Sequence, residues 1–460
     1  MRNMLENIST TRFNSPDALR AAWLAIEGRF TAISRQIAES RSRVIEEAAS
    51  HSLPNTRQEE WKYTSIRPLI DSGFELVAKE SSAILDESLR LAVQKRLLPG
   101  SLGVVFVDGR YVAQWSSADQ KDAVRIRSLR DAEVSEDVSW WDRWRLNLDS
   151  SKVFWKISLG LSTDGVVLEL GEGCSQGRPI HILHVATEKM GKVAANNRVL
   201  INVAKGAAVS VFEEFASLET ATTHEGAWTN VLTQIRLGQS AKCGYYRILS
   251  EEGSYHTGAV TANLDQASRL ELLSLSAGAK LARIDVDVTH YAAESECVLN
   301  GLYLVKGSEH IDHHTCSDHL VGNTKTYQLF KGILSDAGRA VFNGKIFIRK
   351  DAQKAEAYQT SKNLLLSGTA EVDAKPQLEI DADDVKASHG AAIGSLDRDE
   401  LFYLQSRCID RAEATAILCR GFAADVILRL DNEFARKVLM ARIDAWFSNL
   451  AANYPGKMTS

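Results

Sequence analysis

From about Val166 to Ile380 the chain repeats one texture: a short run of alternating apolar residues, a few small or polar positions, then alternation again. Asn202–Val211, Asn263–Leu272 and Leu334–Phe342 share the template most plainly, and turns of the same kind fall near Ser240, Ser295, Gly307, Ala352 and Thr369. No long helical period interrupts the stretch. Many short strands with recurring turns admit two architectures, an antiparallel sandwich or barrel and a parallel β-helix. A sandwich of this length needs nearly twice the usual number of strands, whereas a solenoid only adds coils. The turns are also rich in Ala, Ser and Gly rather than the Asn-Gly or Asp-Gly of two-residue hairpins, as corners of a coil would be. The expected fold is therefore mainly β, a parallel β-helix.

A solenoid must hide its open ends, because unpaired strand edges invite aggregation. Helical patterns on both sides of the repeats are candidates for that task. Ser15-Pro16 reads as a helix start, and Leu19, Trp23, Ile26, Phe30, Ile33 and Ile37 form one apolar stripe on a long helix. Glu59-Glu60-Trp61-Lys62-Tyr63-Thr64 then joins aromatic bulk to alternating charge, with Trp61 and Tyr63 placed to anchor a linker onto its neighbour. Asp108-Gly109 predicts a hairpin within Gly103–Val112. Trp140, Trp141 and Trp144 read as a packing cap. After the repeats, Asp410 opens a helix carrying Ile417, Leu418, Phe422 and Val426, and Asp431 is expected to cap another carrying Phe434, Val438, Ile443 and Trp446. Three domains follow: residues 1–150, helical with a short hairpin; 151–390, the β-helix core; and 391–460, a helical module with apolar surface to spare for a partner protein.

Composition narrows the function. Of 460 residues, 45% are hydrophobic and 25% charged, which fits neither disorder nor a membrane class. The formal charge of -5, with no clustered excess of Lys and Arg, argues against nucleic acid as partner. No signal-like apolar core stands at the N-terminus and no run approaches the ~20 apolar residues of a membrane span, so a cytoplasmic protein is expected. Cys174, Cys243, Cys297, Cys316, Cys408 and Cys419 are scattered without a Cys-x-x-Cys pair, and each is expected to be a thiol, by default a small buried apolar residue.

His310-Ile311-Asp312-His313-His314-Thr315-Cys316-Ser317-Asp318-His319 is the densest set of metal-ligand side chains. In an extended strand, however, His310, Asp312, His314, Cys316 and Asp318 face one way while His313 and His319 face the other, so one ion cannot gather them. A polar ladder on the solenoid surface is the expectation, with a zinc hydrolase as the sharper alternative. No phosphate-binding Gly-rich loop or Gly-x-Ser-x-Gly elbow occurs.

At Pro376–Arg407 the repeats hand over to the C-terminal helices: Leu378, Ile380 and Ala382 alternate with Glu379, Asp381 and Asp383 as a last exposed strand. Here several motifs stand in order along nearly the whole chain: Glu60-Trp61-Lys62-Tyr63-Thr64, Gly338-Arg339-Ala340-Val341-Phe342-Asn343-Gly344, Lys375-Pro376-Gln377-Leu378-Glu379-Ile380, Asp383-Asp384-Val385-Lys386 and Ser388-His389-Gly390-Ala391. In these the chain resembles the SufB/SufD family of iron–sulfur cluster assembly proteins, its SufD branch most closely. The resemblance implies a right-handed parallel β-helix between helical terminal domains. It implies a non-enzymatic subunit, without catalytic residues or a metal site of its own, that pairs with a SufB-type paralogue and docks a SufC-type ABC ATPase. ATP hydrolysis would then move the pair and expose the place where a cluster is built. By position, Leu401 to Phe422 would dock the ATPase, with Leu401, Phe402, Ile417, Leu418 and Phe422 as contacts. His389 matches the family histidine associated with a cluster at the subunit interface. No cofactor would be held tightly by the chain alone; a transient iron–sulfur cluster would be shared with SufB. Ala387 departs from the pattern, because many family members carry Cys there and alanine cannot ligate iron, leaving His389, with Cys408 a weaker substitute. A homodimer stays open beside the SufB pairing. The competing reading from another class is a β-helix polysaccharide lyase or hydrolase.

Overall fold

In the computed structural model the described residues are 11–453, apart from 31–32, 77–85, 118–122, 136–137, 147, 150, 188–190 and 219–225. The alternating runs are strands, and from Asp164–Leu170 to Lys386–Gly394 each pairs in parallel with the strand two places away in sequence. Successive strands thus alternate between a ten-stranded and a nine-stranded sheet. Tyr255 pairs with Leu281, Leu281 with His310, His310 with Arg339 and Arg339 with Glu371, so each coil of this parallel β-solenoid takes about thirty residues.

Every second residue points into the lumen, where Leu270 and Leu272, Ala282, Ile284, Val286 and Val288, and Cys297, Leu299 and Val305 interlock from the two sheets. Lumenal glycines make room for large neighbours: a Cβ on Gly301 would lie 2.1 Å from the Phe330 ring, and one on Gly332 2.1 Å from Tyr303. One corner of each coil is a left-handed residue. Gly206, Ser240, Ala267, Glu294, Asn323 and Lys354 stack along the solenoid with φ between 53° and 67°, and each donates its N–H to a carbonyl of the next coil at 2.5–3.0 Å. That ladder satisfies corner amides that would otherwise be bare.

The first end of the solenoid is closed by a hairpin on one sheet and an antiparallel strand on the other. Leu102–Val107 pairs in parallel with Ile180–Ala186 and, through the Asp108-Gly109 turn, antiparallel with Arg110–Tyr111. Val124–Ser128 closes the other sheet antiparallel to Asp164–Leu170. The N-terminal helices cover the outer flank of the nine-stranded sheet, packing Phe13, Leu19, Trp61 and Phe154 around Trp228, Tyr255 and Leu281. Trp140, Trp141 and Trp144 lie over Val167 and Leu200 of the same sheet.

Two expectations change. The apolar stripe from Leu19 to Ile37 belongs to two helices, Pro16–Ile26 and Arg35–Ala49, with a short 3₁₀ turn at Glu27–Phe30. The spacing marked buried positions correctly, but Gly28 favours no helix and Ser34 restarts one. The C-terminal helices Arg411–Leu428 and Glu433–Asn453 do not close the far end. They lie along the outer flank of the ten-stranded sheet, because Phe212, Tyr246 and Leu273, and Ile248, Leu275 and Leu302, form apolar rows there that need covering. The last strands, Glu371–Ile380 and Lys386–Gly394, pair on one side only and are left open.

Candidate functional site

The uncovered coil holds His389. Lys386–Gly394 is exposed over nearly its whole length, with Ile393 50% exposed, and Ile380 on the companion strand is 40% exposed. Parallel register sets Leu299, Gln328, Gln359 and His389 in one column, one residue per coil. Gln328 and Gln359 are buried in the lumen, so His389 is the outermost member of a lumen-facing column. Ala387 falls in the next lumenal column, beside Ala357, and its methyl packs with Ala355, Ala357 and Ala382. No iron ligand stands there.

Around the corner from this coil, Asp397 caps helix Arg398–Gln405 by accepting from the N–H groups of Asp399 and Glu400, and Asp410 caps Arg411–Leu428 by accepting from Glu413. The third cap differs from expectation: Asn432 accepts from the Ala435 N–H at 3.1 Å, while Asp431 is drawn to Arg269 at 2.7 Å. Of the expected partner contacts, Phe402 and Ile417 are exposed, Phe402 at 72%. Leu401 and Leu418 are half-buried. Phe422 leans on the sheet with the Lys331 ammonium 4.2 Å from its ring. Tyr403 and Leu428 extend the exposed apolar surface. Cys408 is exposed, at a left-handed turn.

The histidine run divides between faces as its alternation predicts, but it is not the surface ladder expected, since both faces are covered, one by the lumen and the other by the N-terminal region. His313 and His319 lie in the lumen: His319 stacks on His290 at 4.4 Å, and His313 faces the hydroxyls of Ser274 and Ser276 at 3.3 and 3.2 Å. Burial pushes the His313 imidazole down to about 3 and the His319 imidazole to about 4, so both stay neutral. The outward residues meet the Glu59–Thr64 segment, whose role on this strand the sequence does not disclose. Thr64 donates to Asp312 at 2.5 Å, His314 sits 3.3 Å from Glu60 and 3.1 Å from Asp312, and Lys345 and Lys375 pair with Glu60 and Glu59. Trp61 is buried beneath the Arg283 guanidinium, 4.3 Å from its ring, whereas Tyr63 stays partly exposed. The bond with His314, helped by Lys345 and opposed by burial, holds the Glu60 carboxyl far below its usual range. Burial works against the Asp312 carboxylate too, but Arg283 and His314 outweigh it. Asp312 and His314 are thus spent on docking the N-terminal segment. Among the described residues no three His, Cys, Asp or Glu side chains converge as a metal site requires, and no helix is long and apolar enough to cross a membrane. Burial pushes the thiols of Cys243, Cys297, Cys316 and Cys419 up to about 12.

Comparison with known proteins agrees with this geometry. The family model described as SUF system FeS cluster assembly, SufBD core domain, matches residues 184–422, a span that covers most of the coils, the open end and the start of the C-terminal helices. The iron–sulfur cluster assembly protein SufD of Escherichia coli is 31% identical over 434 residues, 94% of this chain and 97% of that protein. An iron–sulfur cluster assembly SufBD family protein of Synechocystis is 28% identical, covering 82% of this chain and 83% of that one. Protein ABCI7, chloroplastic, of Arabidopsis thaliana is 32% identical over 63% of this chain and 62% of that one.

Proposed function

We propose, because the chain belongs to the SufBD family of iron–sulfur cluster assembly proteins, that it works in cluster assembly as a non-enzymatic scaffold subunit, pairing with a SufB-type paralogue through its open coil and docking a SufC-type ATPase on its C-terminal helices. The observation that carries this reading is the open end. One end of the solenoid is closed by its own antiparallel strands, while the other presents two one-sided strands with exposed Ile380 and Ile393. A flat parallel edge of that kind is a template for another chain's strand, and a paralogue with the same coil would continue both sheets. His389 would then be enclosed at the junction, where a neutral imidazole can offer one nitrogen to the iron of a cluster being built as cargo. Ala387 cannot contribute, so thiolates would come from the partner. Phe402 and Ile417, exposed on neighbouring helices, supply a second apolar surface for the ATPase.

The test is co-purification from the native host with SufB- and SufC-type partners. A three-protein complex is expected, and failure to capture either partner, with the ATPase demonstrably folded, sinks the reading. In that complex His389→Ala is expected to lower cluster formation, followed by visible absorbance, while leaving assembly intact. Loss of assembly would instead make His389 a structural interface residue.

A further inference from the structure

Below His389 the lumen holds an amide ladder. The Gln328 Oε1 accepts from the Thr315 hydroxyl at 3.0 Å and from the Gln359 Nε2 at 2.9 Å, while the Gln328 Nε2 donates to the Ser317 hydroxyl at 3.1 Å. These contacts fix how each amide is turned, because reversing Gln359 would set two carbonyl oxygens against each other. Space is cut to fit as well: a Cβ on Gly344 of the facing sheet would lie 2.0 Å from the Gln359 Nε2. Gln359 is 1% exposed, and its remaining acceptor, Oε1, has no hydrogen-bond partner. A buried acceptor left bare costs about 1–3 kcal/mol. The next position outward in the same lumenal column is His389, one strand spacing away and exposed enough to turn.

We propose that Gln359 is a positioning residue for His389: its bare amide oxygen accepts an N–H of the imidazole, fixes one tautomer and leaves the other nitrogen, with its lone pair, directed to the open end. The role of that free nitrogen rests on the interface reading of His389; the tautomer does not. Histidines that bind metal are commonly held this way, the second nitrogen donating to a carbonyl or carboxylate. Here the acceptor is oriented in turn by Gln328, Thr315 and Ser317, so the ladder carries register from the packed lumen to the last coil.

The experiment is nitrogen NMR of the full chain labelled at histidine, at alkaline pH where an imidazole is neutral, with the His389 signals identified by their loss in His389→Gln. Wild type is expected to shift the tautomer ratio by roughly fivefold or more from that of a free histidine, which already favours the Nε2 proton, the change that a bond of about 1 kcal/mol imposes, and Gln359→Leu to bring the ratio back to the free value. Gly344→Ala, which pushes the amide aside, is expected to do the same from the facing sheet. A wild-type ratio equal to that of a free histidine overturns the proposal whether or not either variant folds, and so does an unchanged ratio in folded Gln359→Leu. Because the measurement reads the ring itself, its failure is distinct from a failure of His389 in cluster formation.

Discussion

Gly301 and the Phe330 ring share one lumenal column, and the packing there leaves no room for a methyl group. Gly301→Ala is therefore expected to cost about 1–3 kcal/mol by overpacking, seen as a lower denaturation midpoint with an unchanged slope; an unaltered midpoint would mean that the ring moves aside freely. The sequence alone shows which face a residue takes, since the period of two in the histidine run correctly separates His313 and His319 from Asp312 and His314. It does not show what lies opposite. Glu60 and Thr64 meet that strand from some two hundred and fifty residues earlier, and the Gln328–Gln359 ladder appears only when register sets one coil on the next. Contacts of this range have no local period to betray them.

Elements were legible where their cause is local. The Asp-Gly hairpin, the Asp410 cap and the existence of many short strands follow from neighbouring residues. The exchange of Asp431 for Asn432 as a cap follows from a tertiary partner, Arg269. The docking of the C-terminal helices also depends on a long-range group. Glu214, buried on the outer face of the ten-stranded sheet, takes Arg96 from one helix, Arg442 from another and His181 from the adjoining strand. Burial opposes its ionisation, but His181, Arg442 and Arg96 together hold its pKa down to about 2. A carboxylate with a depressed folded pKa stabilises fully above its unfolded value and less as pH falls, so this contribution is expected to fade between about pH 4.5 and pH 2. Glu214→Gln should cost about 3 kcal/mol at neutral pH and flatten that acid limb. Hydrogen exchange should show protection lost first in Glu433–Asn453, and equal protection in the variant would show that apolar packing alone holds the helix. At a corner of the coil the expected sign is opposite. Ala267 sits in left-handed backbone, so Ala267→Gly relieves about 1 kcal/mol of strain, partly offset by the freedom glycine regains when unfolded, and a slightly higher melting temperature is expected.

On the scale of the whole molecule, a solenoid with one end closed by antiparallel strands and the other bare is an unfinished object. Texture alone predicted the solenoid, and the need to hide its ends was legible too. Which end stays open was not, because the apolar rows that draw the C-terminal helices to the flank arise only after coils stack. An open parallel edge should pair with what is available, so the chain without its partners is expected to self-associate through its last coil. Sedimentation velocity over a concentration series should show a reversible dimer at high concentration. Ile393 faces the lumen in the column of Tyr303, Gly332 and Asn363 and is half exposed only because no further coil covers it. Ile393→Lys puts a charge where a docking coil would bury it, the device by which natural edge strands refuse partners, and leaves the folded monomer little changed because the site is solvated. The variant is expected to remain monomeric and to bind the SufB-type partner more weakly, while its binding to the ATPase, made on Phe402 and Ile417, stays as in wild type. A dimer that survives Ile393→Lys would move the interface away from the open coil and remove the enclosure on which the role of His389 depends.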